Sequence, residues 1–135
     1  MPTSLLAISC LALNLYHEAA FEPLECQFAV AFVTKTRSEQ RKLDICSTVF
    51  EPKQFSWTNN ALDKNGKLLP QYFPIKGERW NDLKMIAKLV LNNDVNDLTK
   101  GATHYYASYI SPPKWDFNKL EFKTECGQHL FYKEE

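Results

Sequence analysis

The sequence lacks an excess of charge of either sign and has no concentrated run of lysine and arginine. Its 16 acidic and 16 basic residues cancel, so bulk charge does not suggest binding to nucleic acid. No apolar run reaches the length of a transmembrane helix, and we expect no stable association with a membrane. With 135 residues, 44% of them apolar, the composition predicts one ordered domain that spans residues 1–135.

Basic residues are also missing from the beginning of the chain, where none precedes Lys35. A secretion signal needs a basic segment before its apolar region. The apolar stretch from Met1 to Leu15 is therefore interpreted as a buried first helix, with Thr3 or Ser4 as its N-cap.

The four cysteines lack the CxxC spacing that is typical of metal sites; they are Cys10, Cys26, Cys46 and Cys126. Cys10 and Cys26 fall within apolar helical patterns, which favours small buried side chains. One or two disulfides are compatible with the sequence, but a domain of this size does not require them, so synthesis in a reducing compartment is the expectation.

Histidines with metal-site spacing are absent as well. His17-Glu18 resembles the start of a zinc-protease motif, but the second histidine of that motif would stand at position 21, which is Phe21. His104 and His129 lie far away in the chain. We therefore predict neither a metal nor another cofactor.

The apolar spacing predicts three main helices followed by a small sheet. Period-3.6 patterns precede and follow Pro23, which separates the first helix from a second that runs to about Lys42. A third helix is predicted over residues 78–93, and strands over 101–107 and 121–124 with a long hairpin-like loop between them. The charged residues 35–42 are interpreted as a solvated face, and 59–74 as a surface loop. The fold class is α+β.

Glu18 is the strongest candidate for a catalytic residue. It falls in the last turn of a mostly apolar helix, where the helix dipole favours a cation instead. Tyr16 and Phe21 flank it, and burial among such residues would raise its pKa towards the range of a general acid.

Glu22 and Glu25 are weaker candidates for a second carboxylate. In a continuous helix Glu22 would neighbour Glu18, as in the close carboxylate pair of a retaining glycosidase. Pro23 displaces Glu22 from that position, and capping the second helix is its simplest role.

Aromatic residues are dense among amide and hydroxyl side chains, a mixture that suits a carbohydrate site. Candidates for binding sugar are Gln54, Ser56, Trp57, His104, Tyr105 and Tyr106. If residues 103–106 form a strand, His104 and Tyr106 share one face and Thr103 and Tyr105 the other, and one of these pairs would face a cleft.

Several motifs together resemble the spore cortex-lytic, or SleB-like, cell wall hydrolases. They are His17-Glu18-Ala19, Glu22-Pro23, Glu25, Gln27, Ala29-Val30-Ala31, Arg37, Ile45-Cys46, Val49-Phe50, Gln54-Phe55-Ser56-Trp57, Gly101-Ala102-Thr103-His104-Tyr105-Tyr106, Trp115, Gly127, His129 and Phe131. The chain departs from the signature at Ala20-Phe21, where Arg-Gly is usual, and at Thr36 and Cys26, where Asn and Gly are usual.

The resemblance implies a lysozyme/lytic-transglycosylase-like domain that cleaves peptidoglycan, with Glu18 at the position of the catalytic glutamate. We expect a lytic transglycosylase that acts between N-acetylmuramic acid and N-acetylglucosamine. Alternatives are a hydrolytic muramidase that uses Glu22 or Glu25, an N-acetylmuramoyl-L-alanine amidase, or a wall-binding or virion-structural module without activity.

A chain that starts at its catalytic domain also looks like a bacteriophage endolysin. We therefore expect a monomer that is made in the host cytoplasm without a signal peptide. It would act on the periplasmic cell wall after release through a holin.

Overall fold

The computed structural model describes residues 4–51 and 55–135. Four α-helices come first: α1 (Leu5–Ala19), α2 (Leu24–Arg41), α3 (Ile45–Val49) and α4 (Glu78–Leu91). Three strands follow: β1 (His104–Ala107), β2 (Leu120–Cys126) and β3 (His129–Glu134). This order confirms the predicted α+β class, and α3 is a short helix that the sequence analysis did not predict. None of the described helices combines the length and the hydropathy needed to cross a bilayer.

The core forms where α1 packs against the other three helices. Its largest fully buried apolar side chains are Leu11, Leu15, Val30, Val33, Val49, Leu83, Val90 and Phe131. Burying each such side chain contributes about 1.5–3 kcal/mol, so this core stabilises the position of α1.

Ser4 caps the start of α1 by accepting a hydrogen bond from the Ala7 amide at 3.0 Å.

The junction between α1 and α2 confirms the break predicted at Pro23. At the end of α1, the side-chain amide of Gln27 donates to the carbonyls of Ala19 and Ala20, each at 3.2 Å. Arg79 of α4 donates to the Ala20 carbonyl as well, at 2.7 Å. Two side chains thus satisfy carbonyls that the last turn of a helix leaves open.

The sheet is antiparallel, with β3 lying between β1 and β2. The predicted hairpin between the first two strands is therefore wrong, because β2 pairs with β3 across a short turn at Gly127 and Gln128. Gly127 has a φ of 55°, in the left-handed region that glycine adopts easily. Aromatic-rich residues 129–134 thereby form the central strand.

Two disulfides are present: Cys10–Cys46 links the helices α1 and α3, and Cys26–Cys126 links α2 to the end of β2 in the sheet. The sequence left one or two disulfides open, and the structure pairs all four cysteines. The paired cysteines are 36 and 100 residues apart, so only the folded chain brings them together. Disulfides of this kind are typical of oxidising compartments rather than the cytosol.

The charged end of α2 is only partly a solvated face. Arg37 and Ser38 are buried, with 7% and 9% of their surface exposed, which contradicts the interpretation of residues 35–42 as uniformly solvated. The Arg37 guanidinium lies 5.2 Å from the centre of the Phe55 ring, and its Nε donates to the Thr103 carbonyl at 2.6 Å. These contacts across the fold bury the charge, and the sequence pattern of one helix cannot reveal them.

Candidate active site

An open cleft of about 810 Å³ lies where the α1–α2 junction faces the sheet. Its lining includes residues 16–23, Arg37, Phe55, Ser56, residues 105–107, Tyr109, Ile110, Trp115 and residues 127–129. The predicted catalytic residue Glu18 is among them, and so are three of the predicted sugar-binding residues, Ser56, Tyr105 and Tyr106. Glu22, a candidate for the second carboxylate, lines the cleft as well. Ala20 and Phe21, where the chain departs from the SleB-like signature, line the cleft too.

Glu18 is placed in the cleft by the last turn of α1 and is only partly exposed there. Burial raises its pKa from an ordinary value near 4.5 to about 7. The nearby Tyr105 hydroxyl and the positive charge of Arg37 both lower the pKa of Glu18, but they do not outweigh the loss of hydration. A carboxyl group that still holds its proton near neutral pH is suited to general acid catalysis.

Arg37 and Tyr105 form the buried side of the site. The Arg37 Nη1 atom and the Tyr105 hydroxyl are both buried, and neither has a hydrogen-bond partner in the described part of the chain. Burial raises the pKa of Tyr105 well above its ordinary value, so the tyrosine stays a neutral donor towards Glu18. The Arg37 charge would favour the carboxylate form of Glu18 once its proton has left.

Glu22 forms a close pair with His129, not a cap on α2. Its Oε1 atom lies 2.9 Å from His129 Nδ1, while α2 begins at Leu24 with Pro23 as its N-cap residue and without a side-chain cap. The predicted capping role is therefore wrong. Burial lowers the pKa of His129 even though the carboxylate beside it acts in the opposite direction. The Glu22 carboxylate also packs so tightly against Gly127 that a side chain at position 127 would collide with it.

Three other predicted residues lie elsewhere. Trp57 is not among the residues that line the cleft; its Nε1 donates to Asn14 at 2.8 Å, and its ring stacks on His17 at 4.2 Å. His104 is not among them either, and contacts Thr103 and Trp115. Glu25 is exposed on α2, outside the cleft lining.

Gln54 falls outside the described residues, so its predicted role in binding sugar stays a prediction.

The cleft reaches both faces of β1, because it lies at the end of the strand. Tyr105 and Tyr106 point to opposite faces, yet both line the cleft together with Ala107, the last residue of β1. The prediction that one complete pair would face the cleft is therefore wrong: each pair contributes one member.

Sequence reasoning also missed some of the lining, although Arg37, Trp115 and His129 stand within the SleB-like motifs. Tyr109, Ile110 and Gln128 carried no signal at all. Across residues 4–51 and 55–135, no group of three or more His, Cys, Asp or Glu side chains could hold a metal ion.

Comparisons with known proteins agree with this architecture. A family model described as Cell Wall Hydrolase matches residues 21–132. The catalytic domain of the germination-specific lytic transglycosylase SleB from Bacillus anthracis is similar in structure, with a TM-score of 0.74, 23% identity and coverage of 97% of each chain. The catalytic domain of Bacillus cereus SleB gives a TM-score of 0.73 and 23% identity over 96% of this chain and 91% of that one. No curated protein sequence matches the chain. At such identities the structural similarity concerns the fold.

Proposed function

This chain belongs to the cell wall hydrolase family, and from that premise we propose that it cleaves peptidoglycan glycan strands with Glu18 as general acid and then base. The bond broken joins N-acetylmuramic acid to N-acetylglucosamine. The observation that carries the proposal is a glutamate with a pKa of about 7 in an open cleft of about 810 Å³. The family membership confirms the resemblance inferred from the sequence.

In the first step, the Glu18 carboxyl group donates its proton to the glycosidic oxygen. The bond between this oxygen and the muramoyl C1 breaks, the leaving sugar departs with a hydroxyl group, and C1 gains oxocarbenium-like character. Glu18 is left as a carboxylate close to the Arg37 charge. That negative charge also offsets the positive charge that develops on the sugar.

In the second step, the same carboxylate accepts the proton of the muramoyl C6 hydroxyl group. The C6 oxygen attacks C1 and forms a 1,6-anhydro ring, which makes the reaction a lytic transglycosylation. Two positions of carboxylates support this route over hydrolysis: Glu25 lies outside the cleft lining, and Glu22 is engaged by His129. A carboxylate held by a buried histidine is less free to activate a water molecule.

The polar and aromatic side chains that line the cleft would bind the sugar. Ser56 and Tyr106 offer hydroxyl groups in the cleft, and Trp115 adds an aromatic ring next to Tyr106, with 5.9 Å between ring centres. Aromatic faces suit the apolar faces of sugar rings, while hydroxyl groups suit their polar edges.

The proposed place of action is the cell wall outside the cytoplasmic membrane, as for an endolysin. Two disulfides suit an oxidising compartment of that kind. We further propose that the protein acts as a monomer.

The pH dependence of the reaction tests the role of Glu18. Because the acid must carry a proton, kcat/KM on purified sacculi should be level below pH 7 and fall about tenfold per pH unit above it. A chelator should leave the rate unchanged. Soluble fragments should carry no newly freed L-alanine amino groups.

Three other results would each contradict the proposal. Freed amino groups together with chelator sensitivity would indicate an amidase. Binding to sacculi without release of fragments would indicate a wall-binding module. A rate that rises through pH 7 would remove Glu18 as the acid.

A further inference from the structure

A second cavity, of about 390 Å³, adjoins the cleft close to Glu18. Its lining comprises Tyr16, Ala20, Phe21, Ile75, Lys76, Gly77, Glu78 and Arg79. Tyr16, Ala20 and Phe21 line the main cleft as well, so the two spaces share a wall. We call the second space the side pocket.

Phe21 is held at the boundary between the two spaces although 91% of its surface is exposed. The Arg79 guanidinium lies 4.4 Å from the centre of its ring, and Arg79 also donates to the Ala20 carbonyl at 2.7 Å. A cation over one face of the ring fixes its position and leaves the other face free for a ligand.

The opposite wall is formed by the segment before α4. Ile75 is 79% exposed, and its amide donates to the Tyr16 hydroxyl at 3.3 Å, which ties this segment to α1. Two large apolar side chains are thus exposed in the lining of one pocket. Exposed apolar groups that are held in a concave site are typical of ligand binding.

The chemistry of the side pocket fits a short peptide better than a sugar ring. Phe21 and Ile75 offer apolar contacts that suit the methyl groups of a short peptide, and most of the polar side chains in the lining are charged. Lys76 and Arg79 outnumber Glu78, so the rim carries an excess of positive charge. Methyl groups next to free carboxylates would be complementary to such a pocket.

We propose that the side pocket binds the lactyl-peptide stem of the muramoyl residue at the cleavage site. This inference rests on the proposed function, because the stem leaves a sugar that must lie in the main cleft beside Glu18. Methyl groups of the lactyl and alanyl units would contact Phe21 and Ile75. A stem carboxylate would lie near Lys76. The side pocket would make the protein selective for strands that carry stems.

The test compares soluble, uncrosslinked glycan strands that bear stems with the same strands after an amidase has removed the peptide and left the lactyl group in place. The wild type should cleave the stem-bearing strands about tenfold faster, as is common for one apolar group in a fitted pocket. Ile75→Ser should remove most of this preference by slowing cleavage of stem-bearing strands alone. Lys76→Met should act in the same direction. Leu98→Ser, at a residue that is 64% exposed and lines neither space, should retain the wild-type preference.

Equal wild-type rates on the two substrates would overturn the inference, and the proposed function would survive. A fall in the cleavage rate of Ile75→Ser that is equal on both substrates would also overturn the inference, since the side pocket would then hold a sugar ring. A wild type that cleaves neither substrate would refute the proposed function itself.

Discussion

Glu18→Gln is expected to lower the rate of glycan cleavage by about 10²–10⁴-fold, the usual contribution of a positioned general acid. The amide has nearly the shape of the carboxyl group but cannot donate a proton to the glycosidic oxygen. Initial rates on sacculi, with circular dichroism to verify the fold, would measure the effect. Glu25→Gln is the matched control, because Glu25 is exposed and outside the cleft lining. Activity of Glu18→Gln near the wild-type level would eliminate Glu18 as the acid.

The same substitution should stabilise the protein, in a manner that depends on pH. The pKa of Glu18 is about 7 in the folded state and near 4.5 ordinarily, so between these values the folded state binds more protons than the unfolded state. The free energy of unfolding of the wild type therefore falls as pH rises through this window, and the fall is absent in the variant. The difference should be near zero below pH 4.5 and reach at most about 3 kcal/mol above pH 7. Urea unfolding at both ends of the window would measure it.

Removal of the Cys26–Cys126 disulfide by Cys26→Ser with Cys126→Ser should lower the free energy of unfolding by about 5 kcal/mol. The bond closes a loop of 100 residues, and its loss restores that loop's entropy to the unfolded chain. It also ends one residue before Gly127, next to the Glu22–His129 pair. Activity should therefore fall together with stability.

The matched control is the double variant Cys10→Ser with Cys46→Ser, which removes a bond that closes a loop of 36 residues and whose two cysteines are not among the residues that line the cleft. A loss of about 4 kcal/mol is expected there. Its activity should persist at temperatures where it stays folded. Guanidinium unfolding and activity at low temperature would compare the two variants. Losses below about 1 kcal/mol in both would refute the entropic argument.

Local patterns predicted the helical part of the fold well. The period-3.6 stripes, the N-cap at Ser4 and the helix break at Pro23 all depend on residues close together in the chain, and all match the structure. The same local reasoning identified Glu18, because a carboxylate in an apolar last turn conflicts with the pattern around it. The structure adds the raised pKa that this conflict suggested.

Long-range pairings were beyond the reach of such reasoning. Three contacts join α2, or the residues just before it, to the C-terminal part of the chain. They are the Glu22–His129 pair, the hydrogen bond from Arg37 to Thr103 and the Cys26–Cys126 bond. Each partner looks like an ordinary capping, solvated or buried residue in its own segment. The predicted hairpin between β1 and β2 was wrong for a related reason. The last strand in the chain, β3, lies between these two strands in the sheet. Trp57 shows the opposite error, since its aromatic ring suggested a sugar contact but packs on His17.

The mass of the released muropeptides tests the central claim most directly. Purified sacculi would be digested with the protein, and with Glu18→Gln in parallel, and the soluble products would be weighed. Lytic transglycosylation by Glu18 predicts wild-type products that are lighter by one water than reducing muropeptides, and none from the variant. Reducing-end products from the wild type would contradict the account, because water would then be the nucleophile and Glu22, the other carboxylate in the cleft lining, would become the group to test.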